Sequence, residues 1–414
     1  MKIQGGIPLK GTIKAQGAKN AALPVMAVCL LLKNATLTLN NVPDLYDIST
    51  MIELVEALGV KTERTKDVIK FNVPDEINFE APESIVRKMR ASSLALGPVL
   101  ARCKKVILPL PGGCSIGSRP IDLHLKGLKQ MGAEIEIKNG VVYATTKGKL
   151  RGRRLYLDFP SVGATENLMM AAAFAQGETI IENIAREPEI DNLADTLRCI
   201  GVPVELEGTG GVRIRGIEYS HSGTERVIPD RIEAATYILA GIMTRGQITI
   251  NDIIPAHIDA MLAKLEEAGA RFKIKKNSIT VYPVKRLKPV SIKTLPFPGF
   301  PTDMQPQMAA ALSLANGTSM VEESVFQSRF LYAQELNRMG ADIKISRDVA
   351  VINGVEKLQG ASVRATDLRA GAALIIAGLA AKGETIIEDM VHVWRGYEAI
   401  DEKLKSLGAK VELA

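Results

Sequence analysis

Aromatic residues make up only 4% of this 414-residue chain, and there is a single tryptophan, Trp394. Without rings interleaved among basic residues, the net charge of +6 does not point to a nucleic-acid partner. Lysine and arginine are scattered rather than blocked, which fits small anionic ligands better than a polymer. Cysteine is scarce too. Cys29, Cys103, Cys114 and Cys199 form no CxxC, and no histidine stands at ligand spacing. That argues against structural zinc and a disulfide framework, so neither metal nor organic cofactor is expected. Long apolar runs are absent: Ala21–Leu32, broken by Pro24, is about a dozen residues where a bilayer needs roughly 20. No charged-then-apolar leader with a cleavage site opens the chain, so the expectation is a cytoplasmic protein with no membrane insertion. Hydrophobic content of 46% and charged content of 24% describe a soluble globular protein. The length exceeds one ordinary core and fits two domains of about 200 residues.

What is present is repetition. Six times an amphipathic segment ends in one short phrase and runs into a strand-like stretch. The phrases are Leu58-Gly59-Val60, Met131-Gly132-Ala133, Ile200-Gly201-Val202, Ala268-Gly269-Ala270, Met339-Gly340-Ala341 and Leu407-Gly408-Ala409. Their glycines lie 68 to 73 residues apart. A fixed long period marks one supersecondary unit used repeatedly. The sixth unit shows the plan. Ala370–Ala381 is apolar nearly all round and reads as a buried helix stopped by Gly383. Glu384–Asp389 reads as a strand, Tyr397–Leu407 as a polar-faced helix, and Lys410–Leu413 as another strand. Met169–Ala175 with Thr179–Asn183, and Ala234–Met243 with Gln247–Asn251, repeat the helix-to-strand step.

Most units continue into two more strands, as in Ala350–Gly354 and Ala361–Thr366. The sixth runs out of chain, and Lys2–Gly6 with Thr12–Ala15 supply a matching piece. The fold expected is α/β with six repeated units, three per domain. One domain spans 18–227; the other is discontinuous, 1–17 with 228–414.

Two positions in every unit differ in chemistry: the start of the buried helix, and the loop after the following strand. The helix starts read Gly17-Ala18-Lys19-Asn20, Lys88-Met89-Arg90, Ser161–Thr165, Pro229-Asp230-Arg231, Pro301-Thr302-Asp303-Met304 and Thr366-Asp367-Leu368-Arg369. Unpaired N–H groups and the dipole make such ends anion sites. Capping is a competing reading for Asp303 and Asp367. It does not account for Lys19, Arg90 or Arg369, since a cation there opposes the dipole. Among the loops, Leu110–Pro120 holds Gly112 and Gly113 before Cys114 and carries Arg119 near its end, while later loops carry Arg329 and Arg395. The glycines allow close backbone approach, and Cys114 alone of the four thiols reads as presented for reaction. Cys29 and Cys199 sit in apolar or helical settings, and Cys103 lies at a helix end without a comparable glycine loop.

Together Lys19, Arg90, Arg119, Arg329, Arg369 and Arg395 suit a substrate with several anionic groups. Asp303 and Asp367 could accept a proton. A thiol with an ordinary pKa near ~8.5 could donate one. The competing reading is a set of structural salt bridges, less natural for a set confined to two equivalent positions.

The segments Gly17–Pro24, Pro111–Pro120, Ser161–Thr165, Phe300–Gln305, Ala365–Ala370 and Arg395–Glu398 are similar to those of the UDP-N-acetylglucosamine 1-carboxyvinyltransferases, a family of enolpyruvyl transferases. The resemblance runs from near the start to near the end. It implies a two-domain inside-out α/β barrel with the active site in the interdomain cleft. It also implies transfer of enolpyruvyl from phosphoenolpyruvate to the 3-hydroxyl of UDP-N-acetylglucosamine through a phosphate-bearing tetrahedral ketal. By motif, Asp303 takes the hydroxyl proton. Cys114 protonates the methylene carbon and can carry a covalent phospholactoyl adduct. Lys19, Arg119 and Arg395 hold the phosphate, Arg329 lies near the carboxylate, and Asp367, ordered by Arg369, assists proton transfer. Asn20, Arg90, Arg119, Pro120, Ile121, Asp122, Leu123, Ser161, Val162, Gly163 and Val325 contact the sugar nucleotide. Trp394, where the family pattern has an acidic residue, and Ser92-Ser93-Leu94, where an aromatic often follows Arg90, depart from it at the rim. Rival readings are the sister enzyme acting on shikimate 3-phosphate, which lacks the cysteine loop, and a non-catalytic anion-binding scaffold.

Overall fold

A computed structural model describes residues 1–112, 121–208, 210–326 and 329–413. The six glycine phrases have one physical explanation. Each glycine sits at positive φ, between 83° and 102°, just past the end of a helix. In every case its own N–H donates three residues back, and the following N–H donates five back, at 2.9–3.1 Å. Gly340, for example, donates to Asn337 and Ala341 to Leu336. This paired pattern satisfies the last helical carbonyls and turns the chain into a strand; glycine adopts the required φ without steric cost.

The helices ended this way are Tyr46–Ala57, Asp122–Gln130, Pro188–Cys199, Asp259–Glu267, Tyr332–Arg338 and Ile400–Ser406. A second set is apolar on all sides and buried nearly throughout, as its composition demands. These are Lys19–Ala27, Leu96–Cys103, Val162–Ala172, Arg231–Met243, Gln305–Leu312 and Leu368–Ala380. The sixth phrase's helix starts at Ile400, not Tyr397, because Tyr397 is buried and Ala399 takes a positive φ of 45°.

The fold is mixed α/β. The described residues form six sheets of related plan. In five, a strand pairs in parallel with the strand that follows the buried helix, which then pairs antiparallel with one of two further antiparallel strands. The sixth, Lys105–Pro109 with Val141–Thr145 and Glu134–Lys138, has three strands, and a single parallel bridge from Glu80 to Ile107 stands where the fourth would be.

The chain divides into two compact units, crossing between them at Gln16–Gly17 and at Ile228–Pro229. The continuous unit has one hydrophobic core running from Ala18 to Val227. The composite unit joins the first 16 residues to the chain from Pro229 onward, and its separate core draws Ile3, Leu9 and Ile13 in with residues 232–411. Strand Lys2–Gln4 lies between Glu384–Glu388 and Lys410–Glu412, while Lys10–Lys14 pairs with Gln247–Asn251 in a different sheet. No helix among the described residues is long and apolar enough to cross a membrane.

Candidate functional site

In the composite unit, the starts of two buried helices bring charged groups together. Asp303 lies in the single 3-10 turn Thr302–Met304 that leads into helix Gln305–Leu312. Its carboxylate takes Arg329 Nη2 on Oδ1 at 2.7 Å and Arg369 Nη2 on Oδ2 at 3.0 Å. Both arginine side chains are buried, at 2% and 5% exposure, whereas that of Asp303 keeps 25%. The carboxylate is thus the exposed tip of a buried cationic cradle, oriented by two charge-assisted bonds. Burial works against the charge of Arg369, but Asp303, Tyr397 and Asp230 outweigh it and hold that guanidinium above its ordinary value. Among the described residues, Nε and Nη1 of Arg329 are buried with no partner, so the cradle has donors to spare.

Asp367 behaves differently. It is the N-cap of helix Leu368–Ala380, and one oxygen accepts from the N–H groups of Arg369 and Ala370 at 2.8 and 3.0 Å. The capping reading therefore holds for Asp367, whereas Asp303 binds two guanidinium groups.

Arg395 ends the turn Met390–Arg395 and is half-buried. Just after it, Tyr397 is held by its hydroxyl: Arg369 Nη1 donates to it at 3.3 Å, Gln307 Nε2 at 3.2 Å, and Thr236 Oγ1 stands at 2.8 Å. One continuous network thus links the Arg395 segment to Asp303 through Arg369. Val325 donates its N–H to Glu323 Oε1 at 2.9 Å, fixing the chain ahead of Arg329.

In the continuous unit, Lys19 opens helix Lys19–Ala27, and Nζ meets Asp47 Oδ2 at 3.1 Å. The anion awaiting this cation is thus in part the protein's own, and the pair is largely buried at 12% and 8% exposure. Asn20 follows Lys19 in the same helix, half-buried. Arg90 opens the 3-10 turn Arg90–Ala95 ahead of helix Leu96–Cys103.

Ile121 precedes helix Asp122–Gln130, which carries Asp122 and Leu123 in its first turn. Ser161 caps helix Val162–Ala172 through Ala164 N–H at 3.4 Å. These two helix starts are neighbours, and the residue joining them is one the sequence reading missed, His124. A Cβ placed on Gly163 would stand 3.2 Å from its ring, so only glycine fits there without displacement. Asn167 Nδ2 lies 3.0 Å from His124 Nδ1 and donates to Ser93 carbonyl at 2.8 Å, while Asn167 Oδ1 accepts from Gly97 N–H at 2.6 Å. An amide nitrogen can only donate, so Nδ1 accepts and the proton resides on Nε2. Burial, helped by the charge of Arg90, lowers the His124 pKa to about 4, so the ring is neutral. No sequence signal marks His124; its hydrogen-bond partner Asn167 comes from 43 residues further along the chain.

Cys114, Arg119 and Pro120 lie outside the described residues. The other thiols are suppressed. Burial pushes Cys29 far up and raises Cys103, with Arg102 opposing both. Burial, then Glu225 and Asp195, raises Cys199 to about 11. Each is predominantly the unreactive thiol near neutrality. Among the described residues no group of three or more His, Cys, Asp or Glu is placed to hold a metal ion.

The profile of the EPSP synthase (3-phosphoshikimate 1-carboxyvinyltransferase) family matches residues 3–404. A curated UDP-N-acetylglucosamine 1-carboxyvinyltransferase 1 from Caldanaerobacter subterraneus subsp. tengcongensis is 50% identical over 404 residues, covering 98% of this chain and 97% of that protein. UDP-N-acetylglucosamine 1-carboxyvinyltransferase 2 from Carboxydothermus hydrogenoformans is 50% identical over 412 residues, covering 99% and 98%. The chain belongs to the enolpyruvyl transferase family. Among solved structures, the enolpyruvyl transferase NikO from Streptomyces tendae superposes with a TM-score of 0.89 at 23% identity, over 99% of this chain and 98% of that one. EPSP synthase from Acinetobacter baumannii gives 0.76 at 19% identity, over 100% and 99%. At those identities the likeness speaks for the fold alone. The family profile bears the name of the shikimate-pathway sister, so membership by itself leaves the acceptor open. Half-identity across nearly the whole length is shared instead with enzymes named for UDP-N-acetylglucosamine.

Proposed function

We propose that this chain is a UDP-N-acetylglucosamine 1-carboxyvinyltransferase, moving enolpyruvyl from phosphoenolpyruvate to the sugar nucleotide's 3-hydroxyl with release of phosphate. The observation that carries the chemistry is Asp303. Its carboxylate sits at a helix start, partly open to solvent and steered by Arg329 and Arg369. The acceptor assignment rests on the full-length half-identity to enzymes of that name.

In this reading Asp303 takes the hydroxyl proton as the oxygen adds to C2 of phosphoenolpyruvate, while Cys114 delivers a proton to C3. The result is a tetrahedral ketal bearing phosphate. Loss of a C3 proton and of phosphate then leaves the enolpyruvyl ether. Cys114 can also carry the phospholactoyl group. Lys19, Arg119 and Arg395 take the phosphate, and the unpartnered donors of Arg329 suit the carboxylate. Asp367 assists proton transfer beside Arg369, both cap bonds falling on its Oδ1. Asn20, Arg90, Ile121, Asp122, Leu123, Ser161, Val162, Gly163 and Val325, with Arg119 and Pro120, hold the sugar nucleotide. Support for part of that set is the adjacency of the Asp122 and Gly163 helix starts around His124. The six sheets and their helices are read as six copies of one unit, forming two inside-out α/β barrels over 18–227 and over 1–17 with 228–414. Shared strand order and six identical glycine turns support this. The product feeds peptidoglycan precursor synthesis in the cytoplasm.

The test is phosphate release. It is expected only when phosphoenolpyruvate and UDP-N-acetylglucosamine are both present. Release with shikimate 3-phosphate in place of the sugar nucleotide would overturn the acceptor assignment.

A further inference from the structure

Gln16 is the last residue of the composite unit before the first crossing, and it is 6% exposed. Every hydrogen-bonding group it owns is engaged. Its N–H donates to Glu233 Oε2 at 2.7 Å, and its carbonyl accepts from Asp230 N–H at 2.8 Å. Its side-chain amide reaches far along the chain. Nε2 donates to Gly396 carbonyl at 3.0 Å, and Oε1 accepts from Glu398 N–H at 2.8 Å. The amide therefore grips the main chain on both sides of Tyr397, at the residues one and three beyond Arg395. Glu233, fully buried, anchors the other side of Gln16 and takes Lys403 Nζ at 2.6 Å.

We propose that Gln16 is a positioning residue that fixes the Arg395–Glu398 segment, so that Arg395 stands where it meets the anionic group of phosphoenolpyruvate. This rests on the function proposed above. The segment is held at two levels: Gln16 fixes its backbone, and Thr236, Gln307 and Arg369 fix the Tyr397 hydroxyl. Only glutamine's donor and acceptor, at the end of two methylenes, meet a carbonyl and an N–H two residues apart in this way. A methionine of similar length would leave both backbone groups without their partners, at a cost that falls on this segment's order.

The test compares Gln16→Met with the wild-type enzyme, with Gln16→Asn as the milder variant should Met impair folding. Kinetics with both substrates should show KM for phosphoenolpyruvate raised about tenfold and KM for UDP-N-acetylglucosamine within about twofold of wild type. A purely structural role would move both constants or lower only the amount of folded protein. An unchanged KM for phosphoenolpyruvate in a folded variant, or an equal rise in both constants, overturns the proposal. Trp394, the only tryptophan, adjoins Arg395 and gives a readout independent of turnover. Acrylamide quenching of its fluorescence should rise about twofold in the variant. Should the wild type release no phosphate, the proposed function fails, and the quenching alone then decides: wild-type quenching in the variant overturns the role of Gln16.

Discussion

A neutral histidine buried beside Arg90 makes His124 the residue with the sharpest pH signature. Its folded pKa, about 4, lies below the unfolded value near ~6.5. The stability it contributes is therefore present above the unfolded value and lost as pH falls toward 4, on the order of 3 kcal/mol in full. Glu166 and Glu233 pull the other way. Burial raises both carboxyls, Glu166 further through Glu189 and Glu187, Glu233 less because Lys403 opposes. Their contribution is complete below the unfolded carboxylate value and fades as pH rises through the raised one. Wild-type stability alone mixes these effects; a difference separates them. His124→Gln should destabilise the protein near pH 7 and flatten the loss between pH 6.5 and 4, measured by urea unfolding at several pH values. Equal acid slopes in the two proteins would remove His124 as the group that titrates. Residue identity gave the sequence reading Asp303, Lys19 and the arginines. It could not say that Asp367 caps a helix while Asp303 binds two guanidinium groups, since each follows a threonine and precedes a large apolar residue at the start of an apolar helix.

At the scale of the element, the six glycine turns carry a uniform energetic demand. Gly340 sits at φ +88°, and a Cβ added there would meet nothing within 4 Å. Any cost of Gly340→Ala is then purely that of holding an L-residue in the left-handed region, about 1–2 kcal/mol. Gly340→Asn should cost less, because asparagine tolerates that region. Thermal unfolding of the two variants gives the comparison. An alanine variant as stable as wild type would mean that the turn relaxes to another geometry. Gly201 should suffer more, since its added Cβ would lie 2.9 Å from the His221 ring. These turns were legible from sequence because a left-handed residue ending a helix is a local requirement. Helix Ile400–Ser406 was legible only in part: periodicity extends it back to Tyr397, but that ring is buried in the hydroxyl network instead.

At the scale of the molecule, the two hydrophobic cores share no residue among the described residues. The core of the continuous unit runs from Ala18 to Val227, and a unit with its own core can in principle fold alone. A fragment of residues 17–228 is expected to unfold cooperatively, with a single transition by near-ultraviolet circular dichroism and by calorimetry. A broad, non-cooperative melt would show that this core needs the rest of the chain. The composite unit predicts the reverse. Removing residues 1–16 takes Lys2–Gln4 from the middle of one sheet and Lys10–Lys14 from the side of another, leaving backbone groups unpaired.

The sequence by itself determined the α/β class, the period of the glycine turns and the residue types able to grip anions and move protons. Each of these follows from short-range sterics, helix-end chemistry or the ionisation of single side chains. Only the tertiary structure decided the partners. Asp303 faces Arg369 across 66 residues, Lys19 faces Asp47, His124 nests against Gly163, and Gln16 holds Gly396 from 380 residues away. Such pairings depend on how buried helices and sheets bring distant segments side by side, and nothing in the local run of residues specifies that distance.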